Sequence, residues 1–351
     1  MIDKGPDKEM EFLAVSRYDV GKTFRRAWDP EHEPDQWAQL SRIIENHKPK
    51  KIGINKSQHF GLADGLSSTE YETLLNTVSK KYPIATAENL AIAWLETRSE
   101  RELIMYPQIC HIAHEIIKEG FSDQVIHTGV TTTDDLAWWY RERIKELHLE
   151  TWFHPTVSIQ RNESDVVFVK RPQPVVIMPG DLLHVDFGIT YLRLNTDTQE
   201  HAYVLKREET DAPEYLKRAL ARGNKLQDIV VKNFAVGRSG NEILALSRKQ
   251  AIDQGLTPSI YTHPIGYHGH GAGTNIGMWD AQNGVPFVGE YKMNPNTAYS
   301  IELNVTVYLI EWKKEIQIKL EEDGYFDEKL GFKYLDGRQT ELIVIPKPVK
   351  K

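Results

Sequence analysis

The stretch HVDFGITYLRLNTDTQ, residues 184–199, sets two carboxylates inside runs that otherwise read as buried strands: Asp186 in the first run and Asp197 in the second, eleven residues on. Side chains alternate between the faces of a strand, so two positions an odd number of residues apart share a face only if a bulge or turn resets the register. Gly188 and the segment from Tyr191 to Asn195 allow a hairpin that does this. Two buried carboxylates side by side repel, and without a cation at least one stays protonated. Oxygen donors of this kind suit hard or borderline divalent ions.

The same pattern recurs downstream. Glu302 lies in the apolar run AYSIELNVTV (298–307), and Glu321-Glu322-Asp323 follows the strand-like EIQIKL (315–320). Between these and the aspartates lies THPIGYHGHGAG (262–273), a glycine-rich loop with three histidines. Four strand-borne carboxylates and one imidazole make a donor set for two metal ions about 3.5 to 4 Å apart, a geometry that shares and activates a water. Glu322 and Asp323 read either as partners that support the neighbouring ligands or as a solvated strand end, the second being preferred.

Around this core the composition is that of a soluble globular protein: hydrophobic residues make up 40% and charged residues 26%, so disorder is not expected. A net charge of -7 without a long basic run gives no footprint for nucleic acid. No apolar window is long enough for a membrane helix, and MIDKGPDKEMEF at the N-terminus has no apolar signal core. The expectation is a cytoplasmic protein without membrane or nucleic-acid partners, exported only if a leader precedes this chain. The single cysteine, Cys110 in YPQICHIAHEII, excludes an internal disulfide and reads as helix packing. Of the paired Trp138 and Trp139, one is expected in the core and one outside.

Helix and strand periods alternate over the first ninety or so residues, with a helix expected over 35–49 and a short strand over 50–57, and a second such pair in 68–83 and 84–98. We read residues 1–98 as a small α/β N-terminal domain and 99–351 as a second domain. The second opens on a long helical pattern in which Pro107 is expected in the first turns or at a kink. Thr131 to Thr133 offer an N-cap to the next helix, and two more helices are expected over 212–234 and 239–255.

The ordered acids and the histidine loop resemble the pita-bread metallopeptidases of family M24, in particular the Xaa-Pro aminopeptidase and prolidase branch. The resemblance covers roughly residues 99–345. It implies an α/β (α+β) fold: a pita-bread catalytic domain with a curved antiparallel sheet, preceded by a small creatinase- or prolidase-like domain that is short here. It further implies metal ligands Asp186, Asp197, His270 in GHGAG, Glu302 and Glu321, with Glu302 also the catalytic general base. Two divalent ions are implied, Mn²⁺ first, with Zn²⁺, Co²⁺ or Fe²⁺ as alternatives. A homodimer is also implied.

Two further histidines of that family have no counterpart at the expected places. One belongs in the region of SDVVFVKRP (164–172), which contains none; at the other, in GMWD (277–280), Trp279 stands instead. His263, His268 and His184 are candidate substrate-binding replacements, and Trp279 a candidate wall for a proline ring. For His263 and His268 the competing expectation is that they satisfy local backbone groups. Arg193, between the aspartates, would either meet a substrate carboxylate or face solvent on a hairpin. The function expected is hydrolysis of the bond between an N-terminal residue and proline in a peptide substrate. The alternatives are a prolidase, a non-peptide hydrolase or lyase on the same metal site, and a non-catalytic peptide-binding module.

Overall fold

The helix and strand signals at the start of the chain fold into a unit of their own, Met1–Ala91. It holds β1 (Leu13–Ala14), β2 (Arg25–Arg26), α1 (Gln36–His47), β3 (Ile52–Ile54), α2 (Ser68–Thr77), β4 (Ile84–Thr86) and the start of α3 (Glu88–Glu96). β3 and β4 pair in parallel. Ile54, Leu74, Val78 and Tyr82 bury against the apolar face of α1, where Trp37, Leu40 and Ile44 recur at helical spacing. The computed structural model describes residues 1–18, 20–78, 80–162 and 175–346.

The second unit, Ile92–Lys351, carries the acids. It opens with α4 (Glu100–Gly120) and α5 (Thr133–Glu146). Ser99 with Glu102 and Thr132 with Asp135 form capping boxes that satisfy the first free N–H groups of these helices. Pro107 sits at the eighth helical position, beyond the first turn, and α4 continues through it. Cys110 is buried on the inner face of α4. Trp138 is 60% exposed while Trp139 packs against the core, the expected split.

Next come β5 (Thr156–Gln160), β6 (Leu182–Phe187), β7 (Thr190–Tyr191), β8 (Leu194–Asn195) and β9 (Thr198–Val204). After α6 (Glu214–Lys232) and α7 (Gly240–Asp253) follow β10 (Thr257–Ile260), β11 (His263–Ile265), β12 (Thr297–Ser300), β13 (Leu303–Leu309), β14 (Lys314–Leu320), β15 (Asp323–Asp327), β16 (Gly331–Tyr334) and β17 (Ile343–Ile345). These form sheets ordered β17-β9-β6-β5, β11-β12-β15-β16 and β10-β13-β14, with β7 and β8 as a small hairpin. All pairs are antiparallel except β17 on β9.

Short breaks divide what the sequence suggested as one curved sheet. The chain passes from the second sheet to the third between β12 and β13, and back between β14 and β15. A two-way backbone bridge between Gln199 and Glu321 ties the first sheet to the second of these corners. Alternate residues of β9 feed two cores. Tyr203 joins Leu216, Leu220, Ile243 and Leu244 of α6 and α7; Ala202 and Val204 join Tyr106, Ile117, Leu136 and Tyr140 of α4 and α5. With both faces covered, β9 is buried along its whole length, its carboxylate Glu200 included.

Candidate metal centre

Three of the acids lie at the breaks. Asp197 lies between β8 and β9, Glu302 between β12 and β13, and Glu321 between β14 and β15. The hairpin resets the register as the sequence required: Leu192 and Arg193, both at positive φ, turn β7 into β8. Asp186 then pairs across β6 and β9 with Gln199, two residues beyond Asp197. Asp197 and Gln199 share a face, so Asp197 is the diagonal neighbour of Asp186. Gly188 permits this crossing, because a Cβ there would fall 2.3 Å from the carbonyl oxygen of Thr196. Arg193 is exposed at the turn, the solvent-facing alternative.

Ligand atoms from Asp186, Asp197 and Glu321 fall within 4.8 Å of one another. So do those of His263, Glu302 and Glu321, and those of Asp197, His263 and His270. His263 is 1% exposed. Its Nε2 lies 3.5 Å from Glu321 Oε1, 3.7 Å from Asp197 Oδ2 and 3.9 Å from Glu302 Oε2, with no hydrogen-bond partner. Its Nδ1 lies 3.1 Å from the carbonyl of Pro264, which fixes the proton there and aims the Nε2 lone pair at the carboxylates. His270 is exposed, with its ring 4.5 Å from that of His263 and packed edge-on against Trp152. The structure thus brings two imidazoles to the acids, with His263 the deeper.

The electrostatics are those of crowded acids. Burial, then the Glu321 charge, pushes the Asp186 carboxyl up to about 8. Burial, with Glu321 and Asp186, pushes Glu302 up to about 10, and burial with Glu321 holds Asp197 well above the ordinary carboxylate range. Burial, then the neighbouring His263, lowers His270 to about 4, so it is neutral at physiological pH.

Other candidates stand apart. His184 is buried one layer back, 2.8 Å from the Oε1 of Gln199 and 3.3 Å from the Oγ of Ser158. His268 is half-buried against Tyr267 and belongs to none of the ligand groups among the described residues. Trp279 is half-exposed and meets Tyr261 edge-on, and Tyr261 in turn packs on His263 and His270. The segment SDVVFVKRP (164–172), the expected place of one family histidine, lies wholly outside the described residues.

Glu322 and Asp323 are not a solvated strand end: both are buried. They alternate across the strand with Glu321. Asp323 Oδ2 accepts from the backbone N–H of Asp197 at 3.1 Å, holding that ligand loop. Glu322 accepts from His114 Nε2 at 2.9 Å, and His114 Nδ1 binds Asp336 at 2.8 Å. Burial opposes charge on His114, but Glu322, Glu200 and Asp336 outweigh it and raise the imidazole to about 10. The sequence reading also missed Ser300, whose Oγ donates to Glu321 Oε1 at 2.7 Å, and Gln199, 3% exposed, whose Nε2 donates to both Glu302 and Glu321. A polar amide at period-two spacing from Asp197 was the available signal.

Sequence comparison decides the family: the profile of metallopeptidase family M24 matches residues 106–328, well over half of the chain. The chain belongs to this family. No curated protein matches the sequence. Among solved structures, this M24 chain is similar to an X-Pro aminopeptidase from Thermotoga maritima (17% identity, TM-score 0.62, 88% of this chain and 80% of that one). It is also similar to a dipeptidase from Pyrococcus horikoshii (18%, 0.59, 88% and 78%) and an Xaa-Pro dipeptidase from Bacillus anthracis (17%, 0.56, 93% and 81%). At these identities the likeness is one of fold, and it is the mixed α/β pita-bread fold.

Proposed function

We propose that this M24 protein is a dinuclear metal-dependent exopeptidase of the Xaa-Pro aminopeptidase type, releasing an N-terminal residue from a following proline. One observation carries the reading. Three buried carboxylates, Asp197, Glu302 and Glu321, surround a buried imidazole whose Nε2 has no partner, with the half-buried Asp186 beside Asp197 and Glu321, a set that is costly unless a cation fills it.

The donor set fits divalent metal. Asp186, Asp197 and Glu321 would hold one ion, and Asp197, His263, Glu302 and Glu321 a second, with His270 at the exposed side. In this assignment His263 takes the inner imidazole position and His270 is free to face substrate. Mixed carboxylate and imidazole donors suit Mn²⁺, and equally Zn²⁺, Co²⁺ or Fe²⁺. Bound there, such ions supply Lewis acidity and lower the pKa of water.

The chain's own groups supply the remaining chemistry. With ions bound Glu302 would be ionised, and as general base its carboxylate would take a proton from the water that attacks the scissile carbonyl and pass it to the proline nitrogen as the C–N bond breaks. Neutral His270 orients the scissile amide, and Trp279 with Tyr261 offers an apolar wall to the proline ring. The peptide substrate, its proline and the ions belong to one testable unit. Metal content should approach two ions per chain, with Mn²⁺-dependent cleavage of Ala-Pro-Pro. Cleavage of Ala-Pro alone would favour a prolidase, and bound metal without turnover on either would point to another substrate; a protein without metal or turnover would overturn the reading.

A further inference from the structure

The pairing of Asp186 with Gln199 places an amide, not a fifth acid, at the floor of the site. Gln199 Nε2 lies 2.8 Å from Glu302 Oε1 and 2.6 Å from Glu321 Oε2, so both amide hydrogens are committed to carboxylates. An oxygen placed there would face two acceptors, which fixes the amide orientation. Oε1 therefore points to His184, 2.8 Å away, and must accept a hydrogen bond from Nε2–H of that ring. His184 Nδ1 is then the acceptor for Ser158 Oγ–H at 3.3 Å. Every donor in the chain from Ser158 through His184 and Gln199 points toward the glutamates.

The other two glutamate oxygens, Glu302 Oε2 and Glu321 Oε1, are those near His263 Nε2. Gln199 thus holds one oxygen of each carboxylate and leaves the other on the imidazole side, Glu302 Oε2 and Glu321 Oε1, the latter also accepting from Ser300 Oγ. We propose that Gln199 is a positioning residue that presents Glu302 and Glu321 for metal binding, with Ser158 and His184 locking its amide. This rests on the metallopeptidase reading above. It also gives His184 a role behind the centre instead of against substrate.

Gln199→Met keeps the length of the side chain and removes both donors and the acceptor, leaving two buried carboxylate oxygens unpaired. Outer-sphere partners of this kind are worth about 10- to 100-fold in metal affinity. Calorimetric Mn²⁺ titration and the Mn²⁺ paramagnetic resonance spectrum of the full chain read the effect directly. Expected are affinity weakened by about tenfold or more, an altered spectrum, and a fall in kcat on Ala-Pro-Pro that exceeds any change in KM. Ser158→Ala, on a partly exposed strand, should shift affinity in the same direction by less, and should add nothing in the Gln199→Met background. That variant keeps the test available if Gln199→Met does not fold.

Wild-type Mn²⁺ affinity and spectrum in Gln199→Met, whatever its melting temperature, would overturn the inference while leaving the metallopeptidase reading intact. So would wild-type behaviour of Ser158→Ala if it is the only variant that folds. Failure of the wild-type chain to bind Mn²⁺ or another divalent ion would overturn both.

Discussion

Asp186 offers a measurement of what crowding the acids costs the metal-free fold. Its carboxyl is raised from 3.8 to about 8, by burial and then by Glu321, so the folded state holds its proton more tightly than the unfolded chain does. A raised folded-state value contributes stability that is fully present below the unfolded value and is lost as pH rises toward 8. At 1.36 kcal/mol per unit, the interval from pH 5 to pH 8 is worth about 4 kcal/mol, and water entering a partly open site reduces this to about 2–4 kcal/mol. For a folding unit of this size each kcal/mol moves Tm by about 2–4 °C, so Asp186 accounts for a fall of roughly 5–15 °C over that interval. Calorimetric melting of metal-free wild type and Asp186→Asn across pH 5–8 tests this: the variant should show the shallower fall. With saturating Mn²⁺ the wild-type trend should reverse, because the ligands must lose protons to bind. Parallel wild-type and Asp186→Asn profiles without metal would refute the reasoning.

Asp197→Ala and Glu321→Ala should lower metal content measured by mass spectrometry, whereas Glu302→Gln should lower kcat on Ala-Pro-Pro by on the order of 10² or more while metal content falls less. Unchanged occupancy in all three variants would sink the ligand assignment. His263→Ala should lose more metal than His270→Ala, and His270→Ala should act mainly on turnover; the reverse order would return the inner position to His270. Gly188→Ala drives a Cβ to 2.3 Å from the Thr196 oxygen and should cost about 1–3 kcal/mol in urea unfolding, together with weakened metal binding. Trp279→Ala should raise KM for a proline peptide with kcat little changed, and an unchanged KM would remove Trp279 from the substrate wall.

The acids were legible because strand-borne carboxylates in apolar runs are conspicuous: nothing in local propensity explains Asp186, Asp197, Glu302 or Glu321 there. The long helices were legible too, since their caps and periodicity are local. The breaks between sheets were not. They depend on where β13 and β14 leave one sheet for another: the run around Glu302 reads as a continuous strand, and Glu321 as the end of one, with no sign that the chain there changes sheets. Glu322 and Asp323 were misjudged for a related reason. A run of acids after a strand looks solvated until the fold shows helix α4 delivering His114 and Cys110 to its far side.

The two histidines show most clearly what spacing cannot settle. GHGAG marks His270 by its glycines, yet glycine frees the backbone and says nothing about which neighbouring ring is buried. The register of β11 decides that: His263 pairs with Ser300, and Ser300 binds Glu321 through its hydroxyl, so the strand that carries His263 is fastened to the strand that leads into Glu302. His270 lies beyond the strand, in a loop, with Trp152 packed edge-on against it. A ring seated on a paired strand is the better-held metal donor, because its position follows from the backbone pairing of β11 with β12. A ring in a glycine-rich loop can move as substrate enters. Both rings belong to a ligand group with Asp197, and the proposed division, His263 on metal and His270 toward substrate, is tested by placing Ala at each position in turn.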